Sequence, residues 1–442
     1  MSEARRPCVD LIAPPFSGHL HPLLGIGRRL LRDRLQVRVI STESARARIV
    51  ASGLEPLCVL DGADAAIHAI AEPPDAVRSN PFRLNAQFRA NLALLGRFQA
   101  ELRAHYRAQA PDLAIVDFTL PLAGFVAREV GAPWWTSLPS PCVLETPDGP
   151  PAYLGGLRPR ADLLGRVRDA AGRALVRGFK RTVVAWHRQQ MRALGLPNPY
   201  RADGSEAAYS PDCILALGLR ELEFARQWPA AVRFVGPVRY TPPGLGPTPP
   251  FVPGRRHVLV SLGTHLRAQK DRVAAATRAA ALALPGIELH FTDGRVGAHG
   301  DAAKSAPSSD GSRDTPAPAN FHRLPFIDYN LLPRYDLVVH HAGAGILNET
   351  IAAGLPAIVL PLDYDQFDNA ARLQAAGLAT RLRSLADLPR AIEQALAVHA
   401  HANIAIRARY RDLLLQEAAE DRISALVAAR LTAPPGLRQG ND

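Results

Sequence analysis

The 442-residue sequence lacks the long apolar run that a membrane-spanning helix requires, since no stretch of about 18 apolar residues occurs in it. Two arginines lie near its start, but Asp10 interrupts the apolar residues that follow and Pro14-Pro15 ends them, so we expect no signal peptide. No internal repeat of short period is present either. Together these absences favour a globular protein without a helix in the bilayer.

Cysteine is also scarce, and its four residues are far apart, at Cys8, Cys58, Cys142 and Cys213. No pair has the spacing of a zinc site or of a redox-active motif. We therefore predict reduced, mostly buried cysteines in a cytoplasmic protein.

Acidic residues are outnumbered by basic ones, 41 against 52, which gives a formal net charge of +11. The excess is concentrated in residues 158–192, where ten Arg and Lys residues are balanced only by Asp162 and Asp169. Leucines, valines and Trp186 alternate with these arginines at roughly helical spacing. The segment is therefore either a solvated helix face or a peripheral contact with an anionic membrane surface. No nucleic-acid-binding motif accompanies the charge, so we expect no nucleic acid partner.

The length of the chain exceeds one comfortable hydrophobic core and predicts two domains. A proline- and glycine-rich stretch, YTPPGLGPTPPFVPG, is typical of a linker between them. Residues 294–320 are small and polar and predict a surface insertion. The expected divisions are an N-terminal domain over 1–236, a linker over 237–256, a second domain over 257–402, a C-terminal helix over 403–432 and a loose tail over 433–442.

The most informative stretch covers residues 336–369, DLVVHHAGAGILNETIAAGLPAIVLPLDYDQFDN. Residues 337–339 predict a buried strand and residues 346–353 a helix, with Gly343 and Gly345 in the turn between them. A strand, a glycine turn and a helix N-terminus make an anion site, because free amide groups and the helix dipole both point at the ligand. The glycines allow the backbone to approach a phosphate closely.

Polar side chains recur at fixed distances along this stretch. His341 begins the glycine turn, Glu349 follows eight residues later, and an Asp365-Gln366 pair ends the pattern, with Gln366 25 residues after His341. This register resembles the donor-binding signature of the UDP-sugar glycosyltransferases, the GT-B family that includes plant, mammalian and antibiotic-tailoring enzymes. The resemblance implies a set of donor-binding residues: Thr264, His341, Gly343, Ala344, Gly345, Glu349, Asp365 and Gln366.

The same resemblance implies an α/β fold of the GT-B type, with two Rossmann-like, doubly wound parallel-sheet domains facing a central cleft. It is clearest over residues 9–35 and 257–380. In that family the first domain binds the acceptor, the second binds the nucleotide sugar, and the C-terminal helix returns to the first domain.

A second glycine- and histidine-containing loop follows the first predicted strand, Val9 to Ala13, and precedes a predicted helix over 23–35. In the resembling family the equivalent loop carries the general base directly after a glycine, as Gly18-His19 does here. Imidazole suits this role because its pKa lies near neutrality. His21 is the alternative base, and a structural histidine is the alternative role for His19.

An aspartate, Asp117, ends the predicted strand over 113–116, at the sheet edge where parallel sheets bind ligands. By the resemblance it would orient His19 and stabilise its imidazolium. The alternative is a cap for a helix over 121–130. Thr264 ends a Leu-Gly-Thr element that would contact the diphosphate, a role compatible with capping the next helix.

Three further features bear on the substrates and on metal. The apolar stretch over 139–157 favours a hydrophobic small molecule or lipid as acceptor.

The tryptophan that stacks on uracil in plant members of the family is missing here. By the resemblance, Phe326 or the neighbouring backbone would contact the base instead, with uridine as the favoured base and thymidine as the alternative. Asp363-Tyr364-Asp365 has the Asp-x-Asp form of a metal site, but it lies in the sugar-facing part of the motif, so we expect no metal or other cofactor and full activity in excess chelator.

The resemblance thus implies an inverting, metal-independent hexosyltransferase that moves a hexose, glucose first, from a nucleoside diphosphate sugar to an acceptor hydroxyl. His19 and Asp117 would be its catalytic residues. The expected location is the cytoplasm, with peripheral contact at the inner membrane surface through 158–192 as the further option. Two alternatives stay open: a GT-B sugar-nucleotide epimerase or hydrolase, and a catalytically silent nucleotide-sugar-binding protein.

Overall fold

The computed structural model describes residues 5–71, 80–241, 248–264, 267–294, 317–398 and 403–433. The chain divides into two compact units. Of the described residues, those within 5–241 and 417–433 form the first unit, and those within 248–416 form the second. Most of the predicted insertion at 294–320, part of the linker and the tail beyond 433 lie outside the described residues.

The first unit is built on a seven-stranded parallel sheet in the order β3-β2-β1-β4-β5-β6-β7. Its central strands are continuously buried, as expected for a parallel sheet that is covered on both faces. The strands are β1 (Cys8–Ile12), β2 (Gln36–Ser41), β3 (Glu55–Cys58), β4 (Leu113–Asp117), β5 (Trp134–Leu138), β6 (Ile214–Ala216) and β7 (Val232–Phe234).

The helices of the first unit cover both faces of this sheet. One core cluster joins Leu11 to Leu23 and Leu24, and another joins Val116 to Phe98. The helices are α1 (Ser17–Arg32), α2 (Arg46–Ala51), α3 (Asp64–Ala71), α4 (Pro81–Ala108), α5 (Pro121–Glu129), α6 (Leu163–Trp186) and α7 (Arg188–Ala193).

Helix α1 begins six residues before the predicted start at Leu23, so His19 and His21 lie in its first turns and not in a loop. Pro22 lies inside the helix, where it removes one backbone donor. The buried side chain of Leu20 packs into the core ahead of Pro22, and this packing accounts for the additional turn.

The second unit has a six-stranded parallel sheet in the order β10-β9-β8-β11-β12-β13. Its strands are β8 (Arg256–Ser261), β9 (Ile287–Thr292), β10 (Phe321–Leu324), β11 (Leu337–His340), β12 (Ala357–Val359) and β13 (Ala379–Arg381). Its helices are α8 (Arg267–Ala283), α9 (Ala344–Ala352), α10 (Gln366–Ala375), α11 (Leu388–Val398) and α12 (Ile404–Gln416). The predicted α/β class with two doubly wound parallel sheets is confirmed.

Each sheet has one point where the strand order reverses, between β1 and β4 in the first and between β8 and β11 in the second. Ligands of open α/β sheets bind outside the carboxyl ends of the strands at this point. His19 and Asp117 follow β1 and end β4, and Thr264 and His341 follow β8 and β11.

The C-terminal helix predicted over 403–432 is in fact two helices, α12 and α13 (Ala419–Thr432). Ala418 has a non-helical backbone, and α12 belongs to the second unit while α13 packs against α1 in the first. No glycine or proline marks the break. Glu417 packs against Gly236 and pairs with Arg422, so tertiary contacts set its position. Among the described residues, no helix is long and apolar enough to cross a membrane.

Candidate active site

His19 and Asp117 form a hydrogen-bonded pair at the carboxyl edge of the first sheet. The Nδ1 atom of His19 lies 3.0 Å from Oδ2 and 3.1 Å from Oδ1 of Asp117. The Asp117 side chain is fully buried, whereas that of His19 is 23% exposed. The structure therefore brings together the two predicted catalytic residues, with the carboxylate inside and the imidazole at the surface.

The Asp117 carboxylate also accepts two hydrogen bonds from Thr119, one from its amide at 3.0 Å and one from its hydroxyl at 2.5 Å. The N-cap of α5 is Leu120, which makes no side-chain cap bond. The alternative role of Asp117, as the cap of this helix, is therefore wrong. Thr119 was not predicted. The spacing Asp-x-Thr directly after a strand is typical of a turn closed by a side chain. This spacing could have indicated Thr119 as a partner of Asp117.

The orientation of the His19 ring follows from its neighbours. A carboxylate accepts only, so the Nδ1–H of His19 donates to Asp117 and the Nε2 atom carries the lone pair. The Phe118 ring stacks on the imidazole, with 5.6 Å between the ring centres. His19 is thus held in the tautomer that a general base requires.

His21, the alternative base, has a different environment. Its Nε2 atom is buried and has no hydrogen-bond partner among the described residues. Burial, assisted by the nearby Arg48 charge, lowers the pKa of His21 to about 3. It therefore stays neutral near physiological pH and lacks the orienting carboxylate that His19 has.

In the second unit, the turn between β11 and α9 is held by two side chains. Ala342 has φ of 69°, a left-handed conformation that alanine rarely adopts. Its amide donates to Nδ1 of His340 at 3.1 Å, and its carbonyl accepts from Nδ2 of Asn369 at 3.0 Å. Strained backbone that is fixed in this way is common at ligand sites.

The His341 imidazole packs against two glycines, one after each strand that flanks the reversal point. A Cβ on Gly343 would overlap His341 Nε2, and a Cβ on Gly263 would lie 2.9 Å from His341 Cε1. The Nδ1 atom of His341 is buried and unpartnered among the described residues. Burial lowers the pKa of His341 to about 4, so the ring is neutral near pH 7. A neutral imidazole with an unpartnered nitrogen suits a polar ligand.

Helix α9 presents its N-terminus beside this histidine. Gly343 is the N-cap, and Ala344 and Gly345 are its first two residues, with no acidic residue in the first turn. Gly345 is exposed, and nothing lies within 4 Å of a Cβ built on it. The amide groups of a first helical turn have no partner within the helix and favour an anion.

Glu349, the predicted ribose ligand, lies on α9 and is only 9% exposed. The Tyr329 hydroxyl is close by. Its pKa is raised to about 12, chiefly by burial and also by the Glu349 charge, while a hydrogen bond with Ser261 acts in the opposite direction. Tyr329 and Ser261 were not predicted as part of this site, and a lone tyrosine or serine carries no sequence signal for such a role.

Thr264 is half-buried in the loop after β8, where the Gly294 backbone packs closely against Gly263. Its capping role depends on residues 265–266, which lie outside the described part of the chain.

Sequence reasoning missed Lys270, whose buried ammonium group donates to the carbonyl of Asp293. Its charge contributes to the lowered pKa of His341. The chain contains only three lysines, and this scarcity was the feature of the sequence that could have drawn attention to Lys270.

The Asp365-Gln366 pair begins α10. Gln366 is 5% exposed, and its Oε1 accepts from the amides of Leu362 and Asp363 at 2.9 and 3.1 Å. Its NH2 group is therefore the end that can donate to a sugar. Asp365 is half-buried and accepts from Asn369 Nδ2 at 3.1 Å.

Three other predicted features lie mainly in packed surroundings. Asp363, the first carboxylate of the Asp-x-Asp form, is buried and accepts from the amide of Tyr364 at 2.9 Å. Phe326 is 8% exposed and packs near Tyr329, with 6.1 Å between the ring centres. In the apolar stretch over 139–157, residues 142–144 belong to a buried cluster, so packing explains part of its apolar character.

Comparison with known proteins identifies glycosyltransferases that are similar to this chain. Residues 295–411 match the model of the glycosyltransferase family 28 C-terminal domain. The chain is similar to 4'-demethylrebeccamycin synthase of Lentzea aerocolonigenes, with 27% identity over 406 residues, covering 86% of this chain and 90% of that protein. It is also similar to zeaxanthin glucosyltransferase of Pseudescherichia vulneris, with 27% identity over 302 residues and 65% of each chain covered. The solved glycotransferase of kitacinnamycin superposes with a TM-score of 0.72 at 21% identity, covering 97% of this chain and all of that one.

Proposed function

This chain belongs to the GT-B glycosyltransferases, and from that premise we propose that it transfers a hexose from a nucleoside diphosphate sugar to a hydroxyl of a hydrophobic small molecule or lipid. Glucose is the first candidate for the sugar. Uridine is the favoured base of the donor, with thymidine as the alternative. Transfer inverts the anomeric centre and requires no metal ion.

The observation that carries this proposal is the contact of His19 Nδ1 with the buried Asp117 carboxylate at 3.0 Å. Nε2 of His19 takes the proton of the acceptor hydroxyl while the hydroxyl oxygen attacks the anomeric carbon. The bond from that carbon to the diphosphate oxygen breaks, and the nucleoside diphosphate leaves with the electron pair. Asp117 stabilises the resulting imidazolium. Attack from the face opposite the leaving group inverts the configuration.

On the donor side, the diphosphate lies at the N-terminus of α9. The amides of Gly343, Ala344 and Gly345 point at an anion placed there, and beside them His341 offers the Nδ1 atom that has no partner among the described residues. Thr264 supplies a hydroxyl from the loop after β8. These dipoles stabilise the charge that develops on the leaving group, which is the reason that we propose transfer without a metal.

The rest of the donor is held by carboxylate and amide groups. Glu349 accepts from the ribose hydroxyls through the small part of its side chain that is exposed. Asp365 and the NH2 group of Gln366 contact the hexose hydroxyls. Support for a small-molecule acceptor comes from the similarity to 4'-demethylrebeccamycin synthase and zeaxanthin glucosyltransferase.

The decisive experiment compares donor turnover by the wild type, His19→Ala and Asp117→Asn. Uridine and thymidine diphosphate sugars are supplied with apolar alcohols and phenols, in the presence and absence of chelator. We expect acceptor-dependent release of nucleotide that falls about 10²- to 10⁴-fold in both variants, with nucleotide binding unchanged. His21→Ala is the matched control on the same helix and keeps its turnover.

Other outcomes identify the alternatives. Unchanged turnover in His19→Ala rejects this residue as the base. Donor consumption that needs no acceptor indicates an epimerase or hydrolase, and nucleotide binding without any turnover indicates a silent binding protein. A strict requirement for Mg²⁺ or Mn²⁺ contradicts the metal-independent mechanism.

A further inference from the structure

Helix α6 exposes large apolar side chains on the surface of the first unit. Leu164 is 72% exposed, Leu175 65% and Trp186 68%, and Leu163 and Val167 are also exposed. Small residues (Ala171, Ala174, Gly178 and Ala185) lie between them and are likewise exposed. Since an α-helix turns by about 100° per residue, Leu164, Val167, Leu175 and Trp186 fall within an arc of about 100°. Together with the small residues they form one largely apolar stripe, roughly 33 Å long, in which the exposed Thr182 is polar.

The buried face of α6 is the less apolar one. It packs Gly165, Asp169, Gly172, Val183 and Val184 against the rest of the unit. An ordinary surface helix turns its leucines inward and its charges outward. The stripe is therefore not explained by the core of the protein, and an exposed apolar surface of this length is typical of an interaction site.

Most of the charged side chains around the stripe are cationic. The cations that point inward are neutralised, because Arg177 and Lys180 pair with Glu145, and Lys180 pairs with Glu206 as well. Among the described residues, no carboxylate pairs with the exposed Arg166, Arg181, Arg188 or Arg192. Arg158 is exposed as well, whereas Arg160 is paired with Asp162.

We propose that the stripe of α6 docks on the surface of an anionic lipid bilayer. Leucine, valine and tryptophan side chains enter the headgroup boundary, and the surrounding arginines contact lipid phosphates. Tryptophan at one end of the stripe suits this position, because its ring is favoured at membrane interfaces. A second copy of the chain fits less well, since a two-fold interface would bring the unpaired arginines of the two copies together.

The test measures co-sedimentation of the full chain with vesicles of phosphatidylcholine alone and with vesicles that also contain phosphatidylglycerol. We expect binding only to the anionic vesicles, weakened by salt. The triple variant Arg166→Gln, Arg181→Gln, Arg188→Gln should lose about 100-fold in affinity. Leu164→Ser, Leu175→Ser, Trp186→Ser should lose at least as much, while Leu282→Ser, at an equally exposed leucine on α8, keeps wild-type binding.

A second readout places the helix itself at the lipid. The fluorescence of Trp186 should shift to shorter wavelength on binding and be quenched by brominated lipid, and Trp186→Phe should remove both signals. Equal binding by the wild type and both triple variants overturns the proposal, as does the absence of wild-type binding. A wild-type dimer that is lost in the serine variant assigns the stripe to a second copy. Because binding needs no catalysis, this outcome is independent of the proposed transfer reaction.

Discussion

Two glycines at the start of α9 have opposite steric surroundings, and this difference tests where the diphosphate lies. Among the described residues outside its own helix, no atom lies within 4 Å of a Cβ on Gly345, whereas a Cβ on Gly343 overlaps the His341 ring. We expect Gly345→Ala to raise the stability of the helix by about 0.5–1 kcal/mol. We expect the same change to weaken UDP and TDP binding by about tenfold, because the added methyl occupies the place of the ligand.

The matched variant Gly343→Ala should lower both stability and nucleotide affinity, since it displaces His341. Calorimetric titration with UDP and TDP and thermal unfolding measure the two quantities for each variant. Wild-type affinity in Gly345→Ala would mean that the diphosphate lies elsewhere.

At the scale of elements, α10 holds the turn that joins β11 to α9. The Asn369 side chain donates to the Ala342 carbonyl at 3.0 Å, in a turn whose φ of 69° is unfavourable for alanine. Asn369→Ala leaves a buried carbonyl without this donor, which costs about 1–3 kcal/mol of unfolding free energy. We also expect weaker UDP binding, because the turn that precedes the anion site loses its support.

Asn348→Ala, a change of the same kind on α9 itself, serves as the control and should leave the unfolding free energy nearly unchanged. Urea denaturation and UDP titration of both variants provide the comparison. If Asn369→Ala binds UDP as the wild type does, the turn is held by its other contacts.

For the whole molecule, buried histidines predict a loss of stability in mild acid. Burial lowers the pKa of His21 and His340 to about 3 and of His290 and His341 to about 4. Unfolded histidine has a pKa near 6.5. Below about pH 6.5 the unfolded chain therefore binds protons that the folded chain does not, so the free energy of unfolding falls as the pH falls.

Urea denaturation at about pH 7 and at about pH 5 should show this decrease before most carboxylates titrate. His341→Gln should reduce the slope, whereas His105→Gln, at an exposed position on α4, should not. A midpoint that is equal at the two pH values would contradict the buried, neutral state of these histidines.

Local patterns in the sequence determined much of this molecule. The strand, the glycine turn and the helix over 337–352 follow from short-range periodicity and from glycine positions, and the structure places them within a residue or two of expectation at most ends. The spacing from His341 to Glu349 and Gln366 is a property of the chain alone. It was sufficient to predict the family and a candidate set of donor-binding residues.

Tertiary structure alone decided the remaining features. His19 and Asp117 are 98 residues apart, and only the pairing of β1 with β4 brings them into contact. The break at Glu417 and the outward leucines of α6 depend on which surfaces meet. Periodicity reports which side chains prefer burial, but the partner that buries them, or leaves them exposed, is set by contacts between distant parts of the chain.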